Sequence, residues 1–413
     1  MRKLFKGFYT PNTSEARDIW DDACTIFVFD TNVLLNFYSY EEETRNELFD
    51  LLNVIKDRLW LPHQVALEYQ MRRLEIIARE RDTFHKIDRF FERINEDISV
   101  KIIDDLKIKS RLPVLAKELD SFSKKINSLI MKFRNEVLER QQELKPDVIS
   151  HDSIREKFDS LFQSNIGNPY SNEELLNIYS EGLARYQNKI PPGFKDRPKD
   201  ELEEYIYSGC SYKKEFGDLI IWKQILNMAK KPQVKNVVFI TDEKKEDWWY
   251  QIRKKMVGPL QALQTEIYNE TAIEHFKMYD TSSFLQAAKE YVNADIKESS
   301  LEDISSVIKV NREEIIYDYS VNELKNSMNR SGVSEAETIL SNFFNLYKSE
   351  LNTAKNEKET IDLDILKQVN AVKEVGVLDS IGDVGGTVIG EKNIGVVDEK
   401  NDLPSDVSRD DEQ

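Results

Sequence analysis

The sequence predicts an α/β fold, a parallel sheet covered by helices with a long helical hairpin inserted into it. Three observations carry the prediction. Short β-rich segments, at 25–29, 236–240 and 275–279, the first a continuous apolar run, each stop at an aspartate or a Thr-Asp pair, as buried parallel strands do at their carboxyl ends. Helical periodicities lie between them, and that alternation builds a parallel sheet. Two long runs between the second strand and the third step by three and four residues, which is coiled-coil spacing.

Taken in order, Thr25-Ile26-Phe27-Val28-Phe29 gives way to Asp30-Thr31-Asn32. A second strand, Arg58-Leu59-Trp60-Leu61, stops at Pro62, and a helical pattern begins near Gln64 with Val65, Leu67, Glu68 and Met71. Phe84, Ile87, Phe91, Ile94, Ile98 and Ile102 mark one helix of the insertion, and Leu115, Leu119, Phe122, Ile126, Leu129 and Phe133 the other. Pro113 breaks the chain between them and Pro146 follows the second, so the pair reads as an antiparallel hairpin whose apolar seam closes on itself. A polar stretch through Asn165–Pro169 leads to a short helix over 173–186, and the main domain resumes near Pro191-Pro192-Gly193. The strands at 236–240 and 275–279 follow, with a helix around Phe284-Leu285. The predicted division is a main domain over 1–71 and 188–295, a helical insertion over 72–187, a small helical region over 296–350 and an acidic, disordered tail over 351–413.

The 413 residues are enough for two or three units. Their 75 acidic and 58 basic residues give a net charge of −17, which excludes a protein that coats DNA or an anionic membrane by bulk positive charge. Residues 351–413 hold 15 acidic residues, 7 basic ones and no aromatic ring, so −8 of that charge belongs to the tail and nucleic-acid contacts elsewhere can be local. Cys24 and Cys210 cannot form a disulfide framework and suit a reducing compartment. No apolar run approaches 18 residues and no hydrophobic stretch follows Met1–Lys6, so the expectation is a cytoplasmic protein without a membrane span.

Four carboxylates then converge on one edge. Asp30 and Asp242 follow strands, Glu68 lies early in the helix after the second strand, and Asp218 opens the helix 219–226. Crevices of open parallel sheets lie at the carboxyl ends of their strands. Each residue alone reads equally well as a turn or helix cap. As a group they repel one another and persist when a cation neutralises them, and an oxygen-only donor set selects Mg²⁺ or Mn²⁺. His63, His85, His151 and His275 have no zinc spacing, and the chain contains neither CxxC nor GxxxxGK[ST]. A haloacid-dehalogenase phosphatase needs a second aspartate two positions after the first, where Asn32 stands.

The segment Phe29-Asp30-Thr31-Asn32-Val33-Leu34-Leu35 resembles the opening motif of PIN-domain nucleases. Pro191-Pro192-Gly193-Phe194-Lys195-Asp196, Phe216-Gly217-Asp218-Leu219-Ile220-Ile221-Trp222 and Val238-Phe239-Ile240-Thr241-Asp242-Glu243 with Asp247-Trp248-Trp249 are similar to the larger bacterial PIN-like subgroup. The resemblance implies a Rossmann-like domain and a divalent-metal nuclease acting on RNA, or on single-stranded or flap DNA, like those of bacterial defence or toxin-type loci. Carried over by position, Asp30, Glu68, Asp218 and Asp242 match the acidic metal-binding quartet, Asn32 and Thr241 its polar support, and Asp196 and Asp247 extra acids of the subgroup. Gly258-Pro259-Leu260-Gln261-Ala262 departs from the pattern by lacking an Arg and an acid, for which Glu266 is the substitute. Lys195, Arg197 and Lys199, Lys213 and Lys214, and Lys244 and Lys245 are the expected phosphate contacts, while Trp248-Trp249 reads as core before base-stacking surface. Nucleic acid, RNA ahead of DNA, is the expected partner, with a second copy or another protein on the hairpin. The competing reading is an inactive PIN-fold scaffold that uses the hairpin and tail; retention of all four carboxylates counts against it.

Overall fold

An apolar strand without alternation must be covered on both faces, and the fold is arranged around that need. A computed structural model describes residues 1, 4–9, 13–195, 203–253 and 255–311. Residues 312–413, with most of the 296–350 region and all of the tail, lie outside the described residues, as do Asp196, Arg197 and Lys199.

The strands are β1 (Thr25–Phe29), β2 (Leu59–Trp60), β3 (Glu204–Tyr207), β4 (Cys210–Lys213), β5 (Asn236–Ile240), β6 (Trp249–Ile252), β7 (Lys255–Pro259) and β8 (His275–Tyr279). The helices are α1 (Thr13–Asp21), α2 (Thr31–Asn36), α3 (Glu42–Val54), α4 (His63–Glu96), α5 (Ile102–Asp105), α6 (Ile108–Arg111), α7 (Pro113–Phe133), α8 (Glu139–Glu143), α9 (Ser153–Phe162), α10 (Asn172–Gln187), α11 (Gly217–Ala229), α12 (Gln261–Glu270) and α13 (Thr281–Tyr291). A further helix runs over 298–311.

The four predicted strands form one parallel sheet in the order β2-β1-β5-β8, so the α/β expectation holds. The second strand is shorter than its apolar run, and Leu61 instead bridges Ile166. Register fixes the two faces. Phe27 and Phe29 point one way, against Trp20 of α1 and Phe284 of α13. Phe239 and Phe276 point the other, against Trp248 and Trp222 of α11. All of β1 and β5 is buried. The helix over 298–311 packs Leu301, Ile304 and Ile308 into this same core.

Helix α4 continues 34 residues from the sheet edge into an arm. A five-residue π turn and α5 and α6 make its tip, with Lys107 left-handed at φ 50°, and Pro113 starts α7 at a position where its missing N–H costs nothing. Phe91 meets Phe133 edge-on at 5.7 Å and Arg134 pairs with Asp88 at 2.8 Å, so α4 and α7 run antiparallel. At the root, the Lys145 ammonium donates to the carbonyls of Tyr38 (3.2 Å) and Ser39 (2.9 Å) and lies 3.6 Å from Glu80, whose other oxygen accepts from the Ser39 hydroxyl. Two antiparallel hairpins, β3–β4 and β6–β7, were not expected from the sequence.

Candidate active site

Asp30 follows β1 and caps α2, since its Oδ1 accepts the Thr31 N–H at 2.7 Å. Capping is therefore compatible with a second role for its other oxygen. That Oδ2 accepts from the Asn32 amide at 2.8 Å and the Thr241 hydroxyl at 2.7 Å. Asn32 completes a link across the sheet, because its Oδ1 accepts the Asp242 N–H at 3.1 Å. Burial raises the Asp30 carboxyl to about 6, opposed by the Thr241 hydrogen bond and reinforced by the charges of Glu68 and Glu243.

Glu68 stands beside it. The Thr31 hydroxyl donates to its Oε2 at 2.8 Å and the Gln64 amide to its Oε1 at 2.8 Å, Gln64 lying one turn earlier on α4. The start of α11 comes close: a methyl group on Gly217 would lie 3.0 Å from Glu68 Oε1. Asp218 is in the first turn of α11 and does not cap it; its Oδ2 accepts from the Trp248 indole at 2.9 Å. The loop 191–195 lies over it. Gly193 has φ +91°, and any side chain there would strike the Tyr186 hydroxyl and crowd the Asp218 Cβ. Buried Asp247 holds that loop by accepting the N–H groups of Gly193 (3.0 Å) and Lys195 (3.2 Å).

Asp242 is set differently. Its Oδ1 accepts the Thr281 N–H at the start of α13, and its Oδ2 accepts the Thr281 hydroxyl and the Asn36 amide, all at 2.9 Å. Burial raises it too to about 6, countered by Thr281 and helped by the charge of Asp280. Glu243, the next residue, is the one whose charge reaches Asp30, and its N–H donates to Thr241 Oγ1 at 3.0 Å. Sequence reasoning quoted Glu243 only as the end of a motif and passed over Thr31, Gln64, Asn36 and Thr281. Thr31 had a signal, as the middle residue of Asp-Thr-Asn; Thr281 had none, being 39 positions from its partner.

Most of the expected basic contacts already face acids. Lys195 pairs with Glu246 at 2.9 Å, Lys245 with Glu243 at 2.9 Å, and Lys214 with Glu203. Lys213 lies over the Tyr179 ring, and Lys244 is half-buried beside Glu243, to which its N–H donates at 2.9 Å. Glu266 is engaged by both guanidinium nitrogens of Arg185, at 2.6 and 2.7 Å, and by the Trp222 indole at 2.9 Å, so it braces α10 against α12. Trp248 and Trp249 are core.

The donor chemistry around Asp30 fits a hard divalent cation: the donors are carboxylate oxygens, and the charges of Glu68 and Glu243 both raise the cost of ionising Asp30. Among the described residues no three His, Cys, Asp or Glu side chains are drawn together into a ready-made metal shell. A parallel sheet whose carboxyl edge gathers acids on separate elements defines a class of α/β domain with an acidic crevice at the strand ends. The profile of the PIN like domain family matches residues 26–263, more than half of the chain, and the protein belongs to that family. PIN-like domains are generally nucleases, and nucleic-acid binding comes with that membership. Comparisons with curated proteins and with solved structures gave no match. Among the described residues no helix is long and apolar enough to cross a membrane.

Proposed function

We propose that the protein is a divalent-metal-dependent nuclease that hydrolyses phosphodiester bonds, RNA ahead of single-stranded or flap DNA. The observation that supports it best is Asp30, a half-buried carboxylate oriented by Thr31, Asn32 and Thr241 and facing the charges of Glu68 and Glu243. Asp30, Glu68 and Asp218 would hold Mg²⁺ or Mn²⁺, with Glu243 adjoining. When bound, the ion supplies an activated water and offsets charge on the phosphate undergoing attack. The chain's own residues do the positioning. Thr241 and Asn32 fix the inward oxygen of Asp30, Thr31 and Gln64 fix Glu68, and Trp248 fixes Asp218. Lys195, Lys214 and Lys245 would exchange their acidic neighbours for substrate phosphates, with Lys213 and Lys244 as further phosphate contacts. The free thiols of Cys24 and Cys210 support a reducing, cytoplasmic setting.

The test is cleavage of end-labelled single-stranded RNA, single-stranded DNA and flap DNA, with Mg²⁺, Mn²⁺ or chelator, beside the Asp30→Asn variant. Metal-dependent cleavage lost in that variant is the expected result. Absence of cleavage from every substrate, or an undiminished variant, sinks the proposal and leaves the scaffold reading.

A further inference from the structure

The arm carries an apolar stripe that the arm itself does not cover. On α7 the positions Leu119, Ser123, Ile126 and Ile130 are half-buried or buried toward α4, which accounts for one face of the helix. The adjoining stripe, Leu115, Phe122 and Leu129, stays 45%, 53% and 67% exposed. Its members are spaced by seven residues, so they lie in one line along about 21 Å of helix. Apolar side chains at that repeat suit packing against a further helix, and among the described residues none covers them.

The charges beside the stripe say which helix fits. Three and four residues from each knob, on the side away from α4, stand Glu118, Lys125 and Lys132. Lys132 reaches Glu136 in its own helix. Glu118 and Lys125 are both exposed and have no ion-pair partner among the described residues. Glu118 lies four residues before Phe122 and Lys125 three residues after it. An antiparallel copy of α7 crossing at Phe122 places Leu115 against the partner's Leu129, Phe122 against its equivalent, and Glu118 against the partner's Lys125, twice over. A parallel copy in register sets Glu118 against Glu118. The stripe is thus self-complementary in shape and charge under a two-fold axis. Because that axis passes through mid-helix, the two nuclease bodies fall at opposite ends of the paired arms and do not collide.

We infer that a second copy of this chain docks on the stripe, forming an antiparallel α7–α7 homodimer centred on Phe122. The single-helix contact is at the small end of specific interfaces, so dimerisation is reversible and concentration-dependent. Sedimentation equilibrium of the full chain should show monomer and dimer in exchange. Phe122→Glu should leave monomer alone with an unchanged far-ultraviolet circular dichroism spectrum. Glu118→Lys and Lys125→Glu should each weaken the dimer at least tenfold, and the two together should restore it, which a merely local effect on helix stability would not do. Phe122→Cys should give an intermolecular disulfide on mild oxidation, since that residue meets its own copy, whereas Val114→Cys should not. A wild type that stays monomeric at every concentration, a dimer that survives Phe122→Glu, or a double reversal that fails to restore association overturns the inference. None of these readouts depends on nuclease activity.

Discussion

Asp30 and Asp242 follow neighbouring strands of one sheet, and burial raises both carboxyls to about 6, yet their surroundings prepare them for different tasks. Around Asp30 the hydrogen-bond donors come from the first two residues of α2 and from Thr241 after β5, and the remaining field comes from Glu68 and Glu243. Around Asp242 the donors come from α2 and from the first turn of α13, so the carboxylate ties two helices to the sheet. In the proposed reading the Asp30 pocket, with two acids beside it, is the one that favours a cation, while Asp242 ties α2 and α13 to the sheet. Position after a strand does not distinguish them; the identity of the neighbours does.

Substitutions can break or sharpen this contrast. The largest effect is expected for Asp30→Asn, which should lower metal-dependent cleavage by about 10²–10⁴-fold, measured as initial rates on labelled RNA. Asp242→Asn should keep activity within about tenfold and instead lose about 1–3 kcal/mol in urea unfolding, because an amide nitrogen would face the Asn36 and Thr281 donors. Equal loss of activity in both variants at unchanged stability would erase the distinction. Glu243→Gln should cost about 10–100-fold in rate, more than Asp242→Asn; a fully active variant removes Glu243 from the Asp30 pocket. Thr281→Val keeps the shape and deletes one donor to Asp242, so about 1–3 kcal/mol of stability should go with little change in rate.

The smallest effect is on pH dependence. Both carboxyls sit near 6 when folded, above their ordinary range near 4, so the folded state holds its protons more tightly than the unfolded one. Their contribution is full below about 4, declines as pH rises through about 6 and is flat above. Thermal unfolding of metal-free protein, compared with each Asn variant, should show a shallower fall between these limits in either variant. Mn²⁺ at pH 7 should raise the melting temperature of the wild type and of Asp242→Asn, but not of Asp30→Asn.

The sheet was legible because β1 and β5 are apolar runs, and β8 a β-rich alternation, each cut short by an acid or a Thr-Asp pair, and the arm because its apolar residues step by three and four around a break at Pro113. The β3–β4 hairpin went unread although its turn, Ser208-Gly209, is a two-residue pair with both φ positive. Its strands interleave Tyr, Ile, Ser and Lys without a clear apolar face. Within the site, Asp30, Asn32 and Thr241 came from the sequence and the structure links them by hydrogen bonds. Which of the adjacent carboxylates Asp242 and Glu243 is held by Thr281 could not be read, since α13 supplies that neighbour from 39 positions away. Phe122 shows the same limit on the arm. Periodicity placed it in a seam, but the choice of seam depends on how α7 is rotated against α4.

Lys145 gives the arm a mechanical character. Helix α4 alone is 34 residues long, about 50 Å, and leaves the body without a linker, while the returning chain is held by Lys145 and Asp152 on the turn at 38–40 and by Arg81 and Arg73 of α4 on Asp147 and Asp152. That makes the arm a cantilever with a stiff root. A load applied at its tip is resisted at Tyr38 and Ser39, two and three residues beyond Asn36, the side chain that holds Asp242. Part of any leverage on the arm is therefore delivered to the end of α2, next to the side chain that holds Asp242.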